Sequence, residues 1–175
     1  MSYIIEYLKS EFGNSFTIGT FYDMGSGSGK GVITASLMCP FKQCIGIEFL
    51  ESLHSIALQT QSKYTNTIDN IMSQNPSLFE GFAQKVPIFF KNSDFLEVPW
   101  TDASLILFNS TCYSIDLMVN IGKKATKECQ SGTILISFTK RIPFLTTDWE
   151  LRDGFRRIMS WGVATIYIHK KKIVS

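Results

Sequence analysis

At 175 residues the chain has the length of one compact domain, able to bury roughly two-thirds of the surface that its unfolded form exposes. Its 45% hydrophobic and 13% aromatic content, against 18% charged residues, excludes a disordered or coiled-coil chain. The 17 Lys and Arg against 15 Asp and Glu leave a net charge of +2, without the basic footprint of a stand-alone nucleic-acid binder. Two basic clusters, residues 123–127 and 169–172, read as solvated surface, so nucleic acid is only weakly suggested. No apolar run approaches the roughly 18 residues of a membrane span, and the first residues lack the pattern of a signal peptide. The expectation is a soluble intracellular protein, cytoplasmic or nuclear. Cys39, Cys44, Cys112 and Cys129 show no CxxC spacing, and His54 and His169 stand far apart, so no metal cage is expected and the thiols are read as reduced.

In chain order, residues 3–12 place apolar side chains at 4, 5, 8 and 12, which predicts a helix stopped by Gly13-Asn14. Residues 16–24 read as a strand, followed by a glycine-rich turn and a helix over 32–38 closed by Pro40. A second strand at 43–48 leads into a long helix, about 50–75, with Tyr64, Ile68, Ile71 and Met72 on one face and Pro76 as its stop. Strands at 86–90 and 104–108 follow, with a turn at Pro99-Trp100-Thr101-Asp102 between them. Residues 115–129 are helical by pattern, and 133–138 form a fifth strand too apolar on both faces for a water-facing edge. The tail breaks the alternation: 156–159 and 163–169, separated by Ser160-Trp161-Gly162, predict an antiparallel hairpin that closes the sheet. The alternation as a whole predicts an α/β fold with a mostly parallel sheet and helices on both faces, in one domain spanning 1–175, with an N-terminal helix at 1–15 and the core at 16–170.

The first strand-to-helix turn, Phe21-Tyr22-Asp23-Met24-Gly25-Ser26-Gly27-Ser28-Gly29-Lys30-Gly31, carries the sharpest signal. A phosphate-binding P-loop fails because Gly31 follows Lys30 where Ser or Thr is needed. A dinucleotide fingerprint fails too: its sixth position is Lys30 counted from Gly25 and Val32 counted from Gly27. What remains is an acidic residue, Asp23, followed by glycines at alternate positions. Glycines let backbone approach a ligand closely, and the carboxylate suits a ligand with positive charge better than one carrying phosphates. Glu48 ends the second strand 19 residues beyond Gly29, and two acceptor oxygens suit a vicinal diol. Asn92-Ser93-Asp94-Phe95 follows the third strand and Asn109-Ser110-Thr111-Cys112-Tyr113 the fourth. All four lie at carboxyl ends of strands, where open α/β sheets bind ligands.

This series resembles the motifs of the class I, S-adenosylmethionine-dependent methyltransferases over about residues 16–170, which implies a Rossmann-like sheet of seven strands. Asp-Met-Gly-Ser-Gly-Ser-Gly-Lys, Gly-Ile-Glu, Asp-Phe-Leu and the Asn-led fourth motif are similar to those of the Dot-type, non-SET histone-lysine methyltransferases. The resemblance implies S-adenosylmethionine as cofactor, held by Phe21, Asp23, Met24, Gly25, Ser26, Gly27, Gly29, Lys30, Glu48, Asp94 and Phe95, with Asn109 beside the methyl group. It implies a protein lysine as acceptor, histone among the candidates. The family's sizeable N-terminal region with a Tyr-Gly-Glu motif has no counterpart, since about 15 residues precede the first strand and Phe12-Gly13-Asn14 does not match. A partner subunit, a homo-oligomer or the first helix folding over the site is therefore expected to close it.

Methyl transfer of this kind requires an attacking lone pair in line with the departing sulfur and the exclusion of water, without an obligatory general base. A narrow apolar channel favours the neutral form of a lysine amine, and Tyr113 and Phe108 are candidate walls. Asn109 offers an amide oxygen to orient amine or cofactor. Two other readings stand beside this one: a methyltransferase-fold binding subunit of a catalytic partner, and a methyltransferase of small molecules or nucleic acid. An Asn-Pro-Pro-Tyr-like fourth motif would favour a base as acceptor, and residues 109–113 contain no proline.

Overall fold

A computed structural model describes residues 2–172 except 83, 144, 146, 160 and 161. Among the described residues, strands β1 (Thr20–Met24), β2 (Gln43–Glu48), β3 (Ile88–Asn92), β4 (Ala103–Phe108), β5 (Ile134–Phe138), β6 (Trp149–Met159) and β7 (Gly162–Lys171) join in one sheet of order β3-β2-β1-β4-β5-β7-β6. Strands β1 to β5 pair in parallel, and β7 runs antiparallel to β5 and β6. Helices α1 (Ser2–Phe12), α2 (Lys30–Met38), α3 (Glu51–Gln74) and α4 (Ile115–Glu128) cover it. This is the Rossmann-like sheet of seven strands that the resemblance implies.

Strand alternation divides the core in two. Phe21, Cys44, Leu105, Leu107, Ile134, Ile136 and Ile168 point to the face where Ile4, Ile5 and Leu8 of α1, Val32 and Ala35 of α2 and Tyr64 and Ile68 of α3 are buried. Tyr22, Met24, Ile45, Ile47, Ile106, Phe108 and Leu135 point to the other face, where Met118, Ile121 and Ala125 of α4 pack with Trp100 and Trp149. The first helix thus spends its apolar side chains on the core and does not fold over the glycine turn. From β1 the chain winds outward through β2 and β3, then returns to add β4 and β5 on the other side. The reversal opens a crevice at the carboxyl ends of β1 and β4.

Several boundaries differ from the sequence pattern, three of them for a clear physical reason. The first strand begins at Thr20, because Ser15–Thr17 forms a 3-10 turn with the Thr17 N–H donating to the Asn14 carbonyl at 3.0 Å. The third begins at Ile88: Pro87 has no N–H for the ladder, although its carbonyl accepts from Cys44 N at 2.9 Å. The sixth begins at Trp149, well before 156, since a bulge between Leu151 and Asp153 breaks the period of β6. Of the hairpin's turn, Ser160 and Trp161 lie outside the described residues. No helix among the described residues is long and apolar enough to cross a membrane.

Part of each basic cluster is engaged within the fold, while Lys123 and Lys127 stay exposed. Lys124 pairs with Glu128 at 2.6 Å and lies over Trp100. Lys171 donates to the Thr126 and Cys129 carbonyls at 2.9 Å, Lys170 sits over the Phe12 ring, Lys172 donates to the Thr147 carbonyl, and His169 is buried.

Candidate functional site

The glycine turn is tied to β2 by backbone. Gly25 and Ser26 both donate to the Ile47 carbonyl, at 2.8 and 3.0 Å, and Gly29 N donates to the Ser26 carbonyl at 2.9 Å before α2 begins at Lys30. The alternate glycines serve different ends. Gly29, with φ +84°, leaves room for the Phe90 ring, which a Cβ there would overlap, and a Cβ at Gly46 would lie 2.6 Å from Phe90 Cδ1. Gly27, with φ +54°, faces open space. One glycine therefore seats an aromatic ring from β3, and the other leaves backbone bare toward a cleft.

That cleft, about 450 Å³, is lined by Asp23, Gly25 to Ser28, Lys30 and Gly31, by Thr34 of α2, and across from them by Leu107, Asn109, Phe138 and Met159. The strand period explains the set: Phe21, Asp23 and Gly25, then Leu105, Leu107 and Asn109, then Ile134, Ile136 and Phe138 follow one face to the carboxyl edge. Among the expected residues, Asp23, Gly25, Ser26, Gly27, Lys30 and Asn109 meet here.

Others do not reach it. The Phe21 ring is fully buried against Phe41, centroids 5.5 Å apart, and the Met24 side chain is fully buried on the opposite face. Both side chains point away from the cleft because of their inward positions on a strand buried on both sides, so any part that these two residues have in holding cofactor falls to their backbone. Gly29 lies outside the cleft wall, under Phe90. Tyr113 and Phe95 stack with centroids 5.9 Å apart against the α4 face, and Phe108 lies fully buried beside Phe95. These three aromatics are thus not walls of the cleft. Tyr113 Oη donates to the Met24 carbonyl at 2.8 Å, so the ring braces the glycine turn from behind.

The electrostatics centre on two carboxyls. Asp23 is buried, and that burial, reinforced by the charge of Glu48, pushes its pKa up to about 7. Glu48 accepts from Gly27 N at 2.8 Å through one oxygen and from Leu50 N at 2.9 Å through the other, which fixes the carboxylate at the end of β2 and leaves each oxygen a second lone pair. Asp94 Oδ1 caps the 3-10 turn Phe95–Glu97 by accepting from Leu96 N at 2.8 Å. Ser26 Oγ, buried in a residue that lines the cleft, has no partner among the described residues, and such an orphaned hydroxyl is what a polar ligand would satisfy. A cationic ligand with a polar end fits these residues: it offsets Asp23, finds Ser26 Oγ and meets no side chain at Gly27, whose N–H is held by Glu48.

The loop 109–113 is held differently. Ser110 Oγ donates to the Phe138 carbonyl at 2.6 Å, Thr111 Oγ1 and Thr139 Oγ1 lie 3.0 Å apart, and Lys140 Nζ donates to the Tyr113 carbonyl. Thr139 has φ +68°, a conformation that a β-branched residue rarely adopts. Asn109 stays exposed at the mouth of the cleft. The sequence pattern missed Phe138, Thr139 and Lys140, although their place just after the fifth strand was a usable signal. Nothing in the sequence marked Phe90 or Met159, which reach the site from β3 and β6.

The family described as "Histone methylation protein DOT1" matches residues 14–159. No curated protein matches the chain by sequence. Solved structures share the fold: an RNA methyltransferase from Salinibacter ruber in complex with S-adenosyl-L-homocysteine (TM-score 0.63, 15% identity, 100% of this chain and 95% of that one). A putative methylase from Haemophilus influenzae gives a TM-score of 0.61 at 12% identity, over 98% and 88% of the two chains. A putative methyltransferase from Escherichia coli gives 0.62 at 12% identity, over 99% and 87%.

Proposed function

The chain belongs to the family of the histone methylation protein DOT1, class I S-adenosylmethionine-dependent methyltransferases, and on that premise we propose that it methylates a lysine side chain of a protein. The observation that carries the proposal is the meeting of Asp23, Ser26 and Gly27 with Asn109 on one cleft, where Leu107, Phe138 and Met159 form an apolar wall across from the glycine turn. When bound, S-adenosylmethionine supplies a methyl group made electrophilic by the sulfonium charge. Ionised Asp23 balances a cation in the cleft, and Ser26 Oγ serves a polar end of it, beside Gly27 where no side chain intervenes. Glu48, fixed by Gly27 N and Leu50 N, has lone pairs for a diol, and Asp94 and Phe95 stand beyond it at the end of β3. Leu107, Phe138 and Met159 exclude water, which favours the neutral amine of the acceptor. Asn109 orients that amine through its amide oxygen. Tyr113 acts at one remove, by bracing the turn through the Met24 carbonyl.

Histones are one candidate acceptor, and a partner subunit or second copy that helps close the cleft is part of the proposal. The test is incubation with S-adenosylmethionine carrying a labelled methyl group and with protein, nucleic-acid and small-molecule fractions, followed by mass spectrometry. Label on lysine-containing peptides is the expected result. Label confined to nucleic acid or metabolites would overturn the lysine assignment, and cofactor binding without transfer to any fraction would turn the reading toward a binding subunit.

A further inference from the structure

A second cleft, about 310 Å³, lies on the α4 face between the segment after β5 and the start of the β6–β7 hairpin, lined by Arg141, Ile142, Pro143, Leu145, Trp149, Leu151 and His169. It shares no lining residue with the cleft at the glycine turn. Its volume is at the small end of the range for ligand sites, about 300 to 1,000 Å³.

Its polar atoms are unusual. His169, near the end of β7 and one strand in from the sheet edge, is 2% exposed, and neither ring nitrogen has a hydrogen-bond partner among the described residues. Trp149, 7% exposed at the start of β6, likewise leaves Nε1 without one. Buried polar atoms are nearly always partnered, because an unsatisfied one keeps the whole cost of losing water. Two side chains carrying three such nitrogens at one cleft therefore point to a molecule that meets them when bound.

The lining restricts what that molecule is. Among the described residues it includes one charged side chain, the Arg141 guanidinium, and no carboxylate, so a cation gains nothing there. Burial, with the Arg141 charge added, lowers the His169 pKa to about 4, so the ring is neutral at pH 7 and offers one N–H donor and one acceptor nitrogen. Trp149 Nε1–H is a donor only. Ile142, Pro143, Leu145 and Leu151 supply apolar walls, unsuited to a multiply charged phosphate with a single guanidinium to face it. We propose that this cleft binds a small organic carboxylate with an apolar body, its oxygens facing the Arg141 guanidinium and the N–H groups of Trp149 and His169. A hydroxyl on the same ligand meets the remaining imidazole nitrogen.

Mandelate, which combines a carboxylate, a hydroxyl and an aromatic ring, is a suitable probe, with mandelamide as the uncharged comparison. The full chain, first saturated with S-adenosylhomocysteine and in parallel without it, is titrated while the indole N–H signal of Trp149 is followed in nitrogen-15 spectra. The expected result in both series is a saturable shift of that signal with the Gly25 and Gly27 amides unmoved, and mandelamide binding at least about tenfold more weakly. Trp149→Phe, which keeps a ring and removes the donor, and Arg141→Met are each expected to weaken mandelate about tenfold or more. Should Trp149→Phe fail to fold, Arg141→Met at its exposed position decides alone. A Trp149 signal that does not move, equal affinity for acid and amide, or full affinity in Arg141→Met overturns the proposal. These outcomes are independent of whether methyl transfer to lysine is observed.

Discussion

The two halves of the cleft are held by opposite means. At the ends of β1 and β2 the turn hangs on backbone: Gly25, Ser26, Gly27 and Gly29 all donate main-chain N–H groups to Ile47, Glu48 or Ser26. At the ends of β4 and β5 the loop 109–113 hangs on side chains, those of Ser110, Thr111, Thr139 and Lys140. A backbone frame leaves little room for substitution, because its glycines are filled by geometry or by Phe90. A side-chain frame can be loosened one bond at a time without collapse of the fold. The first half is therefore expected to couple stability to ligand binding, and the second to govern what is done with the ligand.

The largest expected effect tests whether the backbone frame is as tightly packed as it looks. Gly29→Ala forces a left-handed φ on alanine and drives its Cβ into Phe90, which is expected to cost about 4 kcal/mol of stability in urea unfolding. Gly27→Ala meets no atom within 4 Å and is expected to lose only about 1 to 2 kcal/mol for its φ, while still reducing affinity for S-adenosylhomocysteine. Equal losses at the two positions would break the distinction between a glycine that seats a ring and one that bares its backbone.

Asp23 gives the next effect, in its dependence on pH. The folded chain holds this proton up to about pH 7 and the unfolded chain only to its ordinary 3.8, so the folded state binds more protons between those values. The contribution is therefore whole below about pH 4 and is lost as pH rises through 7, a change on the order of 4 kcal/mol. Asp23→Asn is expected to flatten that part of the stability profile and to make the unliganded chain more stable at pH 8. It is also expected to abolish the rise in affinity for S-adenosylmethionine between pH 6 and pH 8, since the ionised carboxyl is the form that balances a cation. Urea midpoints and calorimetry at several pH values check both.

Glu48→Ala is expected to weaken S-adenosylhomocysteine by about 1.5 to 3 kcal/mol, the range for hydrogen bonds to a charged group. Calorimetry showing full affinity would remove Glu48 from the site and leave it only the bracing of Gly27 and Leu50.

The smallest effects on the fold are expected in the side-chain half. Thr111→Val removes the contact to Thr139 Oγ1 and is expected to lower stability by about 1 kcal/mol or less. Asn109→Ala, at an exposed position, is expected to leave stability and cofactor affinity nearly unchanged and to depress the single-turnover rate. Equal loss of rate and affinity in Asn109→Ala would make Asn109 a cofactor ligand and erase the division between the halves.

The sequence by itself determined the order of strands and helices and the four strand-end motifs, because these depend on local terms: hydrophobic period, glycine and proline, and an acidic residue closing a strand. Within those motifs it placed Asp23, Ser26, Gly27 and Asn109, which meet on the cleft. Only the tertiary structure decided which side of the sheet each motif residue faces. A shift of one position sends a strand side chain to the opposite layer, so Phe21 and Asp23 share a face yet differ in depth, while Tyr113 and Phe95 pack behind the turn. It also decided contacts between residues far apart in the chain, such as Phe90 over Gly29, Lys140 with Tyr113, and Trp149 beside His169. Such neighbours are set by the strand order β3-β2-β1-β4-β5-β7-β6 and its registers, and no local periodicity encodes them.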